Sequence, residues 1–173
     1  MPICYLDRDG VINHHLPYVG TLERFFWHSE IIEILKILKG FDYKFILVTN
    51  QSGIGRGYYS FEEFDQLNNV IKEKFRLNNL AIEIRFCPHT PSCNCKCRKP
   101  KTGMIDNDLR TKEDIFIGDQ PSDMMCAFTS GVMHRWLINK ENYRFSTRFA
   151  KNHKQLLLEI NSWYENDIKK QKI

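Results

Sequence analysis

Two carboxylates separated by a single residue, Asp7 and Asp9, close the short apolar run Ile3–Leu6 in the segment Tyr5-Leu6-Asp7-Arg8-Asp9-Gly10. An aspartate has a reference pKa of about 3.9, so near neutrality it is ionised and can attack an electrophile directly. A second carboxyl two residues on can protonate a leaving oxygen and then take a proton from water. Hydrolysis of a phosphate monoester, for which enzymes supply up to roughly 10²¹-fold, needs such a pair together with charge neutralisation and in-line geometry. The pair therefore predicts phosphoryl transfer, with Asp7 as the nucleophile that becomes a phospho-aspartate and Asp9 as acid and then base. Gly10 lets the backbone turn tightly around the phosphate.

Other residues supply what the pair lacks. A hard divalent cation between the carboxylates and the phosphoryl oxygens takes oxygen ligands, which suits magnesium. Asp119, following Gly118, is the natural third carboxylate, and Asp123, one turn along the next helix, is placed to hold a metal-bound water. Thr49 offers a hydroxyl to a phosphoryl oxygen, and Lys99 supplies fixed positive charge. A second cluster lies at 87–97, where Cys87-Pro88-His89 and Cys95-Lys96-Cys97 spell C-x-H-x5-C-x-C. Three thiolates and an imidazole predict a closed tetrahedral zinc site of structural type. Cys93 is a fifth candidate for four places. Zinc here would aim Arg98 and Lys99 at the phosphate.

The elements that must position these residues alternate. Apolar runs predict strands at Ile3 to Leu6, Lys44 to Val48 ending at Thr49-Asn50, Ala81 to Phe86, Ile115 to Gly118 and Val132 to Ile138. Between them, Ser29 is the expected cap of a helix through Lys39 with Gly40 as its stop. Ser60 with Glu63 spells a capping box opening a helix to about Leu77, whose apolar stripe is Phe61, Phe64, Leu67, Val70, Ile71 and Phe75. A helix is expected from Gly103 to Arg110, another between Pro121 and Gly131, and a last one marked by Leu156, Leu157, Ile160 and Trp163. Strands alternating with helices predict a doubly wound, Rossmann-like parallel sheet, in which ligands sit beyond the carboxyl ends of the strands. Asp7, Asp9, Thr49 and Asp119 all fall at such ends.

The order of these motifs resembles that of the haloacid dehalogenase-like phosphatases, over about Ile3 to Gly131. Asp7-Arg8-Asp9-Gly10-Val11 looks like the first motif, Thr49 the second, Lys99 the third, and Gly118-Asp119 with Asp123 the fourth. The resemblance implies magnesium held by Asp7, the Asp9 carbonyl and Asp119. The intervals are too short for an inserted cap, so the expected form is a single capless domain over 1–173. The cysteine loop before Cys97-Arg98-Lys99-Pro100 is similar to that of the heptose-bisphosphate phosphatase and histidinol-phosphatase branch. The stretch Thr49-Asn50-Gln51-Ser52-Gly53-Ile54-Gly55-Arg56-Gly57 and Gly103-Met104 look like the heptose enzyme. This implies removal of the 7-phosphate of D-glycero-D-manno-heptose 1,7-bisphosphate, with Arg98 among the catalytic residues and Asn50, Gln51, Ser52 and Arg56 on the substrate. The short interval between His89 and Cys95 looks more like the histidinol-phosphate enzyme, which stays open. Gln120 stands where the branch commonly has a basic residue.

Bulk properties bound the alternatives. The 173 residues, 42% hydrophobic and 27% charged, suit one ordinary globular domain. No apolar stretch is long enough to span a membrane, and Asp7, Arg8 and Asp9 interrupt the first apolar run, unlike a signal peptide. A cytoplasmic monomer acting on a small phosphorylated substrate, with no nucleic-acid or membrane partner, is expected. The net charge of +4 comes partly from Lys169, Lys170 and Lys172, read as a solvated end. A zinc-loop nucleic-acid-binding module is the rival outside enzymology, but it leaves the Asp, Thr, Lys and Gly-Asp series unexplained. A polynucleotide phosphatase is a further rival, lacking a long basic groove signature. His14-His15 could touch substrate or lie exposed in a loop, and Phe25, Phe26 and Trp27 are read as core or lid packing.

Overall fold

Short, largely apolar runs form the strands, and their two-residue alternation divides the interior into two layers. The computed structural model describes residues 1–138, 143–163 and 166, so Lys169, Lys170 and Lys172 lie outside the described residues. In chain order the elements are β1 (Ile3–Leu6), α1 (Ile31–Lys39), β2 (Lys44–Asn50), a short α2 (Ser52–Gly55), α3 (Phe61–Leu77), β3 (Ile82–Cys87), β4 (Ile115–Gly118), α4 (Pro121–Thr129), β5 (His134–Ile138), β6 (Arg148–Ala150) and α5 (His153–Trp163). Three-residue 3-10 turns at Leu22–Arg24 and Pro91–Cys93 complete the inventory among the described residues.

Among the described residues the six strands are all parallel, in the order β3-β2-β1-β4-β5-β6. The chain winds outward from β1 on one side and from β4 on the other, so the order reverses between these two strands, where ligands bind in such sheets. Cys4, Leu6, Phe45, Leu47, Ile115 and Ile117 face the layer built with α1, α3 and α5. Tyr5, Ile46, Val48 and Phe116 face the other layer, where α4 contributes Met124, Cys126 and Ala127 and the segment after β3 contributes Met104 and Ile105. Cys95 and Cys97 pack against this second layer, so the cysteine loop does part of the covering that helices do opposite. The loop between β1 and α1 carries no element longer than a 3-10 turn and two isolated bridges through Asn13, in keeping with a capless architecture.

The capping box at Ser60 forms as its sequence predicts, with Ser60 Oγ accepting from the Glu63 amide at 3.1 Å and Glu63 Oε2 from the Ser60 amide at 2.7 Å. Four expectations are corrected. Ser29 does not cap α1: its hydroxyl donates to Glu30 at 2.8 Å, and Glu30 occupies the cap position in helical conformation. Phe61 and Val70 are exposed, and the buried face of α3 runs instead through Phe64, Leu67, Asn68, Ile71 and Phe75. The strand expected from Val132 begins at His134, and β6 carries too short an apolar run to be seen in sequence. The helix expected at Gly103 to Arg110 is a series of turns, tied by side-chain hydrogen bonds from within the segment and from β1 and β3. Arg85 on β3 donates to the Met104 carbonyl and grips Asp108 with both terminal nitrogens, Tyr5 donates to Asp108 at 2.8 Å, and Arg110 donates to the Ile105 carbonyl.

Candidate active site and metal centres

The point where strand order reverses gathers the acidic residues. The Asp7 amide donates to the Ile117 carbonyl at 3.0 Å, which sets the end of β1 beside the end of β4 and hence Asp7 beside Asp119. Gly10 has φ +88°, and a Cβ there would come within 2.4 Å of the Asp119 carboxylate, so only glycine lets the turn pass. Asp7, Asp119 and Asp123 are buried, and each offers an oxygen within 4.8 Å of the others. Lys99 Nζ, itself buried, stands 2.9 Å from Asp7 Oδ1 and 2.7 Å from Asp123 Oδ1, and donates to the Val48 carbonyl at 2.7 Å.

One ammonium does not neutralise three carboxylates. Burial is the largest influence on Asp7 and pushes its carboxyl up; Lys99 pulls it back, Asp123 and Asp9 add to the rise, and the result is about 6. Asp119 is also raised to about 6, by burial and then by the charge of Asp7, against the Gln120 amide that donates to it at 2.6 Å. Burial works to weaken the Lys99 ammonium, but the charges of Asp123 and Asp7 outweigh it and drive the group up. Asp119 Oδ1 is buried without a hydrogen-bond partner. An excess of buried negative charge with an unpaired oxygen fits a hard divalent cation.

Asp9 lies beside the trio and is held separately. Arg8, fully buried, donates from Nη2 to both Asp9 oxygens at 3.0 Å and also to the Val19 carbonyl. Asn13 Nδ2 and Gln51 Nε2 each donate to it at 2.9 Å. A cavity of about 410 Å³ opens above this floor, lined by Asp7, Asp9, Thr49, Asn50, Gln51, Ser52, Arg98 and Lys99 among others. Thr49 Oγ1 accepts from Gln51 Nε2 at 2.8 Å. Arg56, expected on the substrate, is exposed and does not line the cavity; its guanidinium lies 5.9 Å from the Tyr18 ring at the rim.

The cysteine loop brings its four expected ligands together. The Sγ atoms of Cys87, Cys95 and Cys97 lie 3.1–3.5 Å apart, and His89 Nδ1 is 3.5 Å from Cys87 and 3.3 Å from Cys97. Such a four-point cluster suits a tetrahedral cation of zinc type. Cys93 stays outside it, exposed and 3.3 Å from Thr90 Oγ1.

Several contacts differ from what the sequence led one to expect of these residues. Asn50 clamps the backbone of Lys99, accepting from its amide at 3.0 Å and donating to its carbonyl at 3.1 Å. His15 Nδ1 is 2.9 Å from Asp119 Oδ2, whereas His14 turns away and stacks on His28 at 4.3 Å. Arg8, between the two catalytic carboxylates, is fully buried. Phe25 is core, Trp27 packs on the core and Phe26 is exposed.

Residues 19–155 match the family model of polynucleotide kinase 3 phosphatase. The chain is 39% identical over 141 residues to the D-glycero-beta-D-manno-heptose-1,7-bisphosphate 7-phosphatase of Helicobacter pylori, covering 78% of this chain and 82% of that one. It is 38% identical over 170 residues to the D-glycero-alpha-D-manno-heptose-1,7-bisphosphate 7-phosphatase of Campylobacter jejuni, covering 95% and 96%. In fold it is similar to the D,D-heptose 1,7-bisphosphate phosphatase from B. bronchiseptica complexed with magnesium and phosphate, with a TM-score of 0.83 at 22% identity over 94% of this chain and 99% of that one.

Proposed function

From a chain that belongs to the polynucleotide kinase 3 phosphatase family of haloacid dehalogenase-like phosphatases and, by its relatives, to the heptose-1,7-bisphosphate 7-phosphatases, we infer a phosphomonoester hydrolase that removes the 7-phosphate of D-glycero-D-manno-heptose 1,7-bisphosphate. The observation that carries this reading is the buried Asp7 carboxylate, paired with Lys99 and set beside Asp119 with its unpartnered oxygen.

Asp7 attacks phosphorus while Lys99, Thr49 and Arg98 hold the phosphoryl oxygens. Its aim is constrained because Oδ1 accepts from the Arg8 amide at 2.7 Å as well as facing Lys99. Asp9 gives its proton to the departing sugar oxygen as the phospho-aspartate forms. It then takes a proton from water, whose oxygen attacks the same phosphorus, freeing inorganic phosphate and regenerating Asp7. Asp7, Asp119 and the Asp9 carbonyl would hold magnesium, with Asp123 behind them. That cation supplies charge neutralisation on the phosphoryl oxygens. Zinc on Cys87, His89, Cys95 and Cys97 has a structural task, ordering the approach to Arg98 and Lys99. Asn50, Gln51 and Ser52 position substrate and neighbours, and Arg56 at the rim suits the phosphate that is not cleaved. Among the described residues no helix is long and apolar enough to cross a membrane, and we read the enzyme as a cytoplasmic monomer.

Turnover of both anomers of the heptose bisphosphate, compared with histidinol phosphate and a 3′-phosphorylated oligonucleotide, tests the substrate. The expected result is a kcat/KM for one heptose anomer at least about tenfold above the other two compounds, a margin of roughly 1.4 kcal/mol in transition-state binding. Preference for histidinol phosphate or the oligonucleotide overturns the substrate; no magnesium-dependent turnover of any phosphomonoester overturns the reaction.

A further inference from the structure

Gln51 lies two residues beyond Thr49, and both polar atoms of its buried side chain are engaged. Nε2 donates to Asp9 Oδ2 at 2.9 Å and to Thr49 Oγ1 at 2.8 Å, one hydrogen to each. Oε1 accepts from the Tyr59 hydroxyl at 2.6 Å. Tyr59 is itself buried, and two glycines leave room for its ring: a Cβ on Gly20 or on Gly53 would run into it. Burial pushes its phenol up to about 12, with Arg8 pulling against the rise and Asp9 adding to it. The group is therefore a donor near neutrality.

The direction of these bonds matters, because the two ends of an amide have nearly one shape and opposite hydrogen-bonding roles. Turned over, Gln51 would set its carbonyl oxygen against Asp9 and Thr49. That oxygen would draw the single Thr49 hydroxyl proton away from the cavity. It would also compete for the proton that Asp9 holds for the leaving oxygen. An ionised Asp9 opposes the turn, since carboxylate and carbonyl both only accept; a protonated Asp9 does not. Tyr59 opposes it in either state. With the amide reversed, its buried hydroxyl hydrogen would face N–H groups in place of an acceptor.

We propose that Tyr59 is a positioning residue of the hydrolase. Its hydroxyl fixes the Gln51 amide, which in turn frees the Thr49 proton for a phosphoryl oxygen and keeps the Asp9 proton for the departing alcohol. This rests on the roles given above to Thr49 and Asp9, and adds a residue that acts on both through one amide.

Tyr59→Phe removes one oxygen and keeps the ring beside both glycines. On heptose 1,7-bisphosphate it is expected to lower kcat roughly tenfold, with KM within about twofold of the parent and melting temperature down by a few degrees. On acetyl phosphate, whose leaving acetate needs no proton, the loss should be several-fold smaller. Because Tyr59 acts through Gln51, Tyr59→Phe/Gln51→Leu should stay within about twofold of Gln51→Leu alone. Parent-like kcat in Tyr59→Phe overturns the proposal. So does an equal loss on both substrates, or a loss repeated in full on the Gln51→Leu background, which would mean that Tyr59 acts on substrate directly. The relay does not depend on which alcohol leaves, so a parent that prefers another alkyl phosphate moves the comparison to that ester. A parent that hydrolyses no phosphomonoester overturns the reaction and the relay together, and its own rates therefore separate the two failures.

Discussion

Asp7, Asp119 and Asp123 come together from two strands and a helix far apart in sequence, whereas Cys87, His89, Cys95 and Cys97 lie within one short stretch of chain. The carboxylate floor is buried on a packed parallel sheet and braced by Lys99 and the Asp7 amide bond to Ile117. The cysteine loop has little regular structure beyond a 3-10 turn, and three of its four candidate ligands are only partly buried or exposed. Hydrogen bonds between strands and helices hold the floor in shape, whereas the loop is held by local hydrogen bonds, among them Lys101 to the Asn94 and Cys95 carbonyls, and by Cys95 and Cys97 packing on the second layer. We propose on this contrast that a cation at the floor would serve chemistry and one in the loop would serve structure. Asn50, at the end of β2, joins the two by gripping the backbone of Lys99 just after the loop.

The sharpest way to break this contrast is Asp7→Asn, which is expected to lower kcat by on the order of 10⁴-fold or more while leaving melting temperature and zinc content near the parent's. Removing magnesium should likewise stop turnover without unfolding the protein. Retained turnover in the asparagine variant would strip Asp7 of its role.

Cys95→Ser addresses the other side. Loss of one thiolate is expected to empty the loop of zinc, lower the melting temperature by roughly 5–10 °C and reduce kcat only in part. Metal analysis with calorimetry decides the matter, and an undisturbed melting temperature would show that the loop orders itself without a cation. Asn50→Ala probes the joint between the regions. It should cost about tenfold in kcat and a few degrees in melting temperature, because Lys99 loses a two-point clamp on its backbone.

The smallest effect concerns the brace behind the floor. His14, His28 and His153 stack in sequence, with centroids 4.3 and 3.6 Å apart, and His153 Nε2 lies 2.9 Å from the Val11 carbonyl. Burial, reinforced by His153 and His14 and opposed by Glu30, lowers His28 to about 4; His153 is also lowered, chiefly by burial. The unfolded chain takes up protons near pH 6.5 that folded His28 refuses until about 4. Stability present above pH 6.5 is therefore lost as pH falls toward 4. Melting curves of His28→Phe, which keeps a ring in the stack, should show a flatter pH dependence across that window, and an identical slope would exclude the stack as its source.

Patterns confined to a few neighbouring residues were readable in sequence. The Asp-x-Asp pair after an apolar run, the C-x-H-x5-C-x-C spacing and the Ser60/Glu63 box each specify a local geometry that tertiary packing did not need to alter. The segment at 103–110 misled for the opposite reason. Its helical pattern was overridden when Arg85 and Tyr5, on strands distant in sequence, captured Asp108 and a backbone carbonyl. Arg56 likewise reads as a site residue but stands at the rim, because the turn after α2 carries it outward beside Tyr18.

The sequence by itself thus determined the chemical types present, their placement at strand ends and the likeness to phosphatases of one branch, since these depend on periodicity and short spacing. Only the tertiary structure decided that Lys99 pairs with Asp7 and Asp123 together, that Arg8 is buried to hold Asp9, that Asn50 clamps a lysine backbone, and that Tyr59 packs over Gly20 and Gly53 and donates to Gln51. Each of these depends on side chains from separate elements meeting at one point. The order of strands and the packing of loops settle that meeting, and no local pattern encodes it.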